Sequence, residues 1–446
     1  MYPLLLKKGS LFKEKVEKFR EEGERNMFEE KLGSKIAAIY FISLSALMHY
    51  FYSQVIPLFT TPVQQVFVVL AIATAFVSFL IEPDMARAAV AVKAALILSA
   101  PMFVMIMASL LLWSVEMTGI EYIIQGLWHY GIYVNQLLAA LYAAAFLYMF
   151  GEKGIWYHLA GLLLVNLFLI GKVIFEYGPQ TYFSEFATLL TSFAGETGDV
   201  MAEAEIHELV YCVGTYAFFM LLTFRKNVWF LAGLVLSMFC FLSALKRIGV
   251  LAMVVGLLAG WMLQLASRHI SPKTVSKVIT SVLLMVAVVL LFYIFAVKMG
   301  FFDLLEDYGI DTMGRALTYK KVSQFYEFLP NYIGQGMGFL AYQLTVNLNV
   351  YSGSVHNDFL QFYIDLGFFG YIFWILTLTV LRTKYFGRGG KITNEIITFA
   401  VILFMLVISS TDNTLNHQMF YIATDMVIMG YGFHERVQEE RQRGIV

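Results

Sequence analysis

The feature that most limits how this chain can fold is a recurring apolar run with few charges, close in length to the ~20 residues a helix needs to cross a bilayer. Such runs stand near 36–56, 63–81, 94–113, 130–150, 155–175, 207–224, 227–245, 248–267, 276–298, 358–381, 394–411 and 417–434. In hydrocarbon every backbone N–H and C=O must be satisfied inside the segment, so runs of this length read as helices. Composition agrees: 59% of the 446 residues are hydrophobic and 14% are charged, against about 25% charged in a soluble domain. The expected fold is an all-α polytopic membrane protein with about 12 transmembrane helices. Cys212 and Cys240 fall inside apolar runs, without metal-ligand or disulfide spacing. No internal repeat supports an inverted-repeat transporter.

Basic residues set the expected orientation. They collect in the N-terminal segment, at Arg87 and Lys93, Lys153, Arg225 and Lys226, Arg268 to Lys277, Arg382 to Lys391, and Arg436 to Arg443. With twelve spans these all fall on one side, which holds 24 of the 31 basic residues. By the positive-inside rule that side, with both termini, is cytoplasmic. The organisation expected is a basic segment at 1–35, which lacks the apolar stretch and cleavage site of a signal peptide, and spans one to nine over 36–298. A large extracytoplasmic loop over 299–357 follows, then three spans over 358–434 and a tail at 435–446. That loop is expected to hold a helix over 314–329, ended by Pro330 and followed by GQGMG at 334–338. Loops this long are ordinarily functional or disordered, and its aromatic content argues for order.

Against that charge bias, a few basic groups stand on the outer side. His356 and Asn357 lie at the mouth of the tenth span, Arg247 at the turn between the seventh and eighth, and Arg315 in the large loop. Arginine presents a planar fork of donors that matches phosphate and stays ionised. Lys246, Lys320 and Lys321 add positive potential, which disfavours a charged imidazole and suits His356 to act as a base. Each residue alone has an ordinary explanation. A histidine at a helix mouth is commonly interfacial, and Asp303, Glu306, Asp307 and Asp311 are near enough in sequence to pair with Arg315. His417, beside Asp412 and Asn413, is a candidate acceptor-side contact, while His49, Asn166 and Asp425 read as interhelical hydrogen-bonding residues.

The order of motifs carries more than any single residue. HNDFLQFYIDLGFFG resembles the hallmark of the O-antigen ligase and O-antigen polymerase superfamily, H-N-x-x-L followed by an acidic residue and G-x-x-G. His356, Asn357, Leu360, Asp365, Gly367 and Gly370 fall on it, with Asp365 where the family more often has Glu. LSALKRIGVLAMVVGLLAG is similar to the family's entry to a middle helix, with Lys246 at the usual Ser position before Arg247. GRALTYKKVSQFYEFLPNYIGQGMG resembles the segment in which an Arg opens a helix that runs into a Pro and a G-x-G turn, matching Arg315, Pro330, Gly336 and Gly338. The three motifs lie in the family's order within residues 240–375; the N-terminal half matches only as a stack of spans.

The resemblance implies a membrane glycosyltransferase that moves a glycan from a polyprenyl-diphosphate carrier to an acceptor hydroxyl on the outer face of the cytoplasmic membrane. Arg247 and Arg315 would hold the diphosphate and stabilise the leaving charge. His356 would take the acceptor proton, and direct displacement would invert the anomeric centre. Asn357, Lys246, Lys320, Lys321 and His417 are the expected substrate-binding residues. No metal or other cofactor is called for. The expected partners are the lipid-linked donor, the glycan acceptor, the bilayer, a chain-length regulator and a flippase, with no nucleic acid. Repeat-unit polymerisation into an O-antigen, capsule or exopolysaccharide is favoured over ligation. A lipid-linked oligosaccharide flippase and a non-catalytic scaffold are the readings from other classes.

Overall fold

The computed structural model describes residues 33–53, 60–115, 130–191, 200, 209–244, 246–309, 312, 314–348, 355–387 and 392–444. Among these the regular structure is helical, without strands. A helix occupies each of the twelve expected positions, from residues 33–53 through Ile392–Ser409 to Gln418–Gly430. Seven are long and apolar enough to cross a membrane by length and composition. An eighth arises if Met85–Leu98 and Ala100–Ser114, bent by 47° at Ser99, count as one broken span. Leu209–Leu222 and Val228–Ser243 are shorter apolar helices, and Gln418–Gly430 has 13 residues. The chain is a multi-pass membrane protein. Most of the expected basic segment 1–35 lies outside the described residues.

Burial sorts the helices into a centre and a rim. Ile392–Ser409 has 83% of its apolar window buried, whereas Gln64–Ile81 has 22% and Pro272–Lys298 has 28%. Rim helices with apolar residues all round are what lipid contact demands, because lipid tails are as apolar as the side chains they meet. The Arg247–Ala266 helix reaches the central helix through Gly256 and Gly260. A Cβ at either would stand 3.2 Å from Ala400, so the small-xxx-small spacing lets the two backbones close up. Toward the end that carries Lys153 and Arg225, Arg382 is buried with Asp425 at 3.9 Å and donates to the Leu98 carbonyl. Arg382 is thus a core residue and not the loop charge expected from the sequence. Asp425 does pair across helices. His49 and Asn166 instead donate within their own helices, to the carbonyls of Ser45 (2.7 Å) and Leu162 (2.8 Å).

The large loop is built differently from its sequence reading. The helix that Arg315 opens ends at Val322, passes through a 3-10 turn at Ser323–Phe325 and gives way to extended Tyr326. Lys298 donates to the carbonyls of Ser323 and Tyr326, and the Tyr332 hydroxyl donates to that of Phe325 at 3.1 Å. Side chains therefore satisfy the carbonyls left open where the helix stops short of Pro330. Beyond Pro330 the chain docks onto a break in the Asp358–Leu376 helix. Gly367 has φ 72° and ψ −177°, a conformation open in practice to glycine alone. Around it the N–H groups of Gln335 and Gly336 donate to the carbonyls of Ile364 (3.1 Å) and Asp365 (2.8 Å), and Phe368 N–H donates to Tyr332 (2.8 Å). The Asp365 carboxylate accepts from the N–H groups of Gly338 (3.0 Å) and Leu340 (3.1 Å).

A side chain at Gly367 would collide with the backbone of Ile333. Gly367→Ala is expected to cost about 1–3 kcal/mol from backbone strain alone and to lower the melting temperature in detergent. Gly171→Ala is the control: helical, with nothing within 4 Å of the added Cβ, it should leave the melting temperature unchanged or raise it slightly.

Candidate active site

The expected site residues sit where helices begin. Arg247 is the first residue of Arg247–Ala266, with Lys246 as its cap, and Arg315 is the first residue of Arg315–Val322. His356 and Asn357 lead into Asp358–Leu376, and His417 caps Gln418–Gly430. The first turn of a helix presents unpaired N–H groups and the positive end of the helix dipole. Basic side chains there are unfavourable for helix stability, and the arrangement suits an anion.

Asp412, in the turn between Ile392–Ser409 and Gln418–Gly430, ties these starts together. Its carboxylate lies 3.6 Å from His356 Nδ1, accepts from the Tyr211 hydroxyl at 2.7 Å and from the N–H of Asn413 at 2.9 Å. Burial pushes the Asp412 carboxyl up. The hydrogen bonds from His356, Tyr211 and Asn413, with the charge of Lys246, outweigh it and hold the group well below the usual carboxylate range. An ionised carboxylate therefore faces the imidazole, which the sequence had surrounded with cations only. His356 itself is half exposed and has φ 49°, uncommon for a residue with a Cβ.

A second cluster holds Arg315 and Asn357. The Asn357 side chain accepts from Leu360 N–H at 3.1 Å, capping its helix, and donates to the Tyr293 hydroxyl at 3.1 Å. Tyr293 in turn donates to the carbonyl of Ser410 at 2.9 Å, in the loop that bears Asp412. Tyr319, one turn after Arg315, donates to the carbonyl of His356 at 3.5 Å. Its phenol is pushed up to about 12 by burial, offset by the charge of Arg315 and hydrogen bonds with Asn357 and Tyr293. Buried Asp358 accepts from Leu415 N–H at 2.8 Å, a further tie between the two loops.

Hydrogen bonds link His356 and Asn357 into these clusters, and Arg315 and Lys246 join them through their charge on Tyr319 and Asp412, with Arg247 next along the chain from Lys246. They do not draw in Lys320, Lys321 or His417. Lys320 lines a cavity of about 90 Å³ with Lys298, Asp303 and Tyr319, and Lys321 is exposed. His417 Nδ1 lies 3.0 Å from the Tyr52 hydroxyl, and its neighbour Gln418 bonds to Gln65 at 2.8 Å. Sequence reading missed Asp412 as a partner of His356, and Tyr211, Tyr293 and Tyr319 altogether. The signal available was a polar Asp-Asn pair and tyrosines at the same ends of their spans as His356. Among the described residues no group of three His, Cys, Asp or Glu side chains is arranged to hold a metal ion.

Residues 210–375 match the family model described as O-antigen ligase, which shows over that stretch the superfamily read from the sequence. The family is one of membrane enzymes that transfer glycans between a lipid-linked donor and an acceptor. No curated protein matches the chain. Asp412 and His417 lie beyond the matched stretch, while Arg247, Arg315 and His356 lie within it.

Asp412 gives a pH test of this geometry. A carboxyl with a lowered folded-state pKa contributes stability above its unfolded value of about 3.9 and loses it as pH falls through the folded value. The stability deficit of Asp412→Asn, read by thermal melts in detergent, should be fully present at about pH 5 and shrink below about pH 4.

Proposed function

From the O-antigen ligase domain and the cluster around His356, we propose a membrane glycosyltransferase that polymerises polyprenyl-diphosphate-linked repeat units into a surface polysaccharide. It works at the outer face of the cytoplasmic membrane. The observation that carries this reading is the meeting of a His356–Asp412 pair with Arg315 and the Lys246–Arg247 helix start. Arg315 and Arg247 hold the donor diphosphate, aided by helix N-termini, and stabilise the charge that develops as it leaves. His356 accepts the proton of the acceptor hydroxyl as its oxygen attacks the anomeric carbon. The carbon–oxygen bond to the diphosphate breaks, the carrier leaves with the electron pair, and the anomeric configuration inverts. Asp412 orients the imidazole and stabilises it once protonated, as a carboxylate does behind a catalytic histidine. No divalent ion is needed, because the guanidinium groups neutralise the leaving group.

Polymerisation is favoured over ligation by the outer segment described at 299–309, 312 and 314–348, with its charged and aromatic side chains, which offers room for a second glycan. Ligation to another acceptor would use the same groups. A flippase is disfavoured because the arginines lie at one end of the bundle, whereas transporters bind near the bilayer midplane.

The test is reconstitution with a synthetic undecaprenyl-diphosphate oligosaccharide. A glycan ladder is expected, unchanged by EDTA. His356→Ala should slow it about 10²–10⁴-fold, as loss of a general base does, and Arg315→Ala about 10²–10³-fold. Both variants folded and fully active would overturn the mechanism. Movement of the lipid-linked sugar across a liposome without extension would support the flippase instead.

A further inference from the structure

At the end of the bundle opposite His356, a cleft of about 380 Å³ opens between the Lys153–Tyr177 and Val228–Ser243 helices. Its wall is apolar, formed by Trp156, Leu159, Leu163, Phe230 and Gly233, and Arg225 stands at its lip. None of the lining residues carries a carboxylate. Lys226 is exposed beside it, and Trp229 is 85% exposed at the same level, as an indole anchored at a membrane–water boundary is. The cleft thus joins a slot for hydrocarbon to an exposed cation, a combination that neither a free anion nor a neutral lipid uses in full.

We propose that this cleft binds a phospholipid with an anionic head group. One acyl chain lies along Leu159, Leu163 and Gly233, and the phosphate pairs with the Arg225 guanidinium by charge-assisted hydrogen bonds. Basic pockets between transmembrane helices recognise anionic head groups in this way. The lipid is not the glycan carrier. Arg225 and Lys246 flank opposite ends of the 16-residue Val228–Ser243 helix, which at 1.5 Å per residue is about 24 Å long. A head group on Arg225 therefore lies in the other leaflet from a diphosphate on Arg247. The site stands whether or not the proposed glycosyl transfer is right.

The experiment uses the full chain in nanodiscs of phosphatidylglycerol or phosphatidylcholine, extracted into detergent, with retained lipid counted by native mass spectrometry. Wild type is expected to keep phosphatidylglycerol in preference to phosphatidylcholine. Arg225→Ala should lower that retention about fivefold, equivalent to about 1 kcal/mol for one basic residue near an anionic surface. Gly233→Leu fills the slot and should lower it as well. A Cβ at Gly233 is 3.8 Å from Met220, so the fold accepts it, and a melting curve verifies this. Arg225 is exposed, so its variant stands as the test should Gly233→Leu not fold. Equal retention of the two lipids, or Arg225→Ala with wild-type retention, would overturn the proposal. Displacement of the lipid by glycerol 1-phosphate, undiminished in a folded Gly233→Leu, would assign the site to a free phosphate and overturn it too.

Discussion

The break at Gly367 is the constraint on which the outer half of the molecule depends. Unwinding a helix inside an apolar bundle strands carbonyls where no water reaches them, and irregular backbone at that depth survives only when protein covers it. The segment from Tyr332 to Gly338 provides the cover by pairing its own backbone with Ile364, Asp365 and Phe368. The exchange is mutual, because the same hydrogen bonds hold the segment itself in place, with buried Met337 the one side chain it adds to the core. Asp365 then completes it by accepting two N–H groups with one carboxylate. As a result the loop that bears Arg315 and the helix that follows His356 are one rigid unit, although a long stretch of chain separates them.

On that unit the electrostatics are arranged against local helix stability. Cations at the first position of a helix oppose the helix dipole, at a cost of a few tenths of a kcal/mol up to ~1 each. Arg247 and Arg315 both occupy such positions, at an end of the bundle otherwise poor in positive charge. A structural arginine would be expected at the other end of its helix. Asp412 offsets part of the accumulated charge, but it is engaged by Tyr211 and Asn413 as well as by His356. The carboxylate is therefore committed to holding the imidazole.

The membrane class was legible from run length alone, because hydrocarbon leaves the backbone so few options, and a helix stands at every expected position. His356, Asn357, Arg315 and Lys246 were legible as polar groups at one end of the bundle, and the structure does bring them into linked clusters. Three things were not legible, each for a physical reason. Arg382 reads as a loop charge because sequence cannot reveal that Asp425 lies opposite it in the core. The Arg315 helix looks longer than it is because the carbonyls just past its end, at Ser323, Phe325 and Tyr326, are taken by Lys298 and Tyr332, residues outside the helix. Asp412 escapes notice as a partner of His356 because helix packing, with no local periodicity, brings the two loops together. Lys320 and Lys321 were drawn in by charge alone, and charge says nothing about which face of a short helix turns toward a site.

The left-handed backbone of His356 draws these threads into one account. A conformation of this kind costs roughly 1–3 kcal/mol in a residue with a Cβ and persists only when its surroundings over-determine it. Here they do so from both sides. Tyr319 donates to the His356 carbonyl and Asn357 caps the next helix, which fixes the backbone. Asp412 meets the ring, which fixes the side chain. Tyr319 belongs to the Arg315 helix and Asp412 to the turn after the central helix, so the imidazole is positioned jointly by two segments far apart in the chain. A histidine that only bridged membrane and water would need neither the strained turn nor two independent anchors. Both suit the base proposed for His356, whose nitrogen would have to meet an acceptor oxygen at a fixed place.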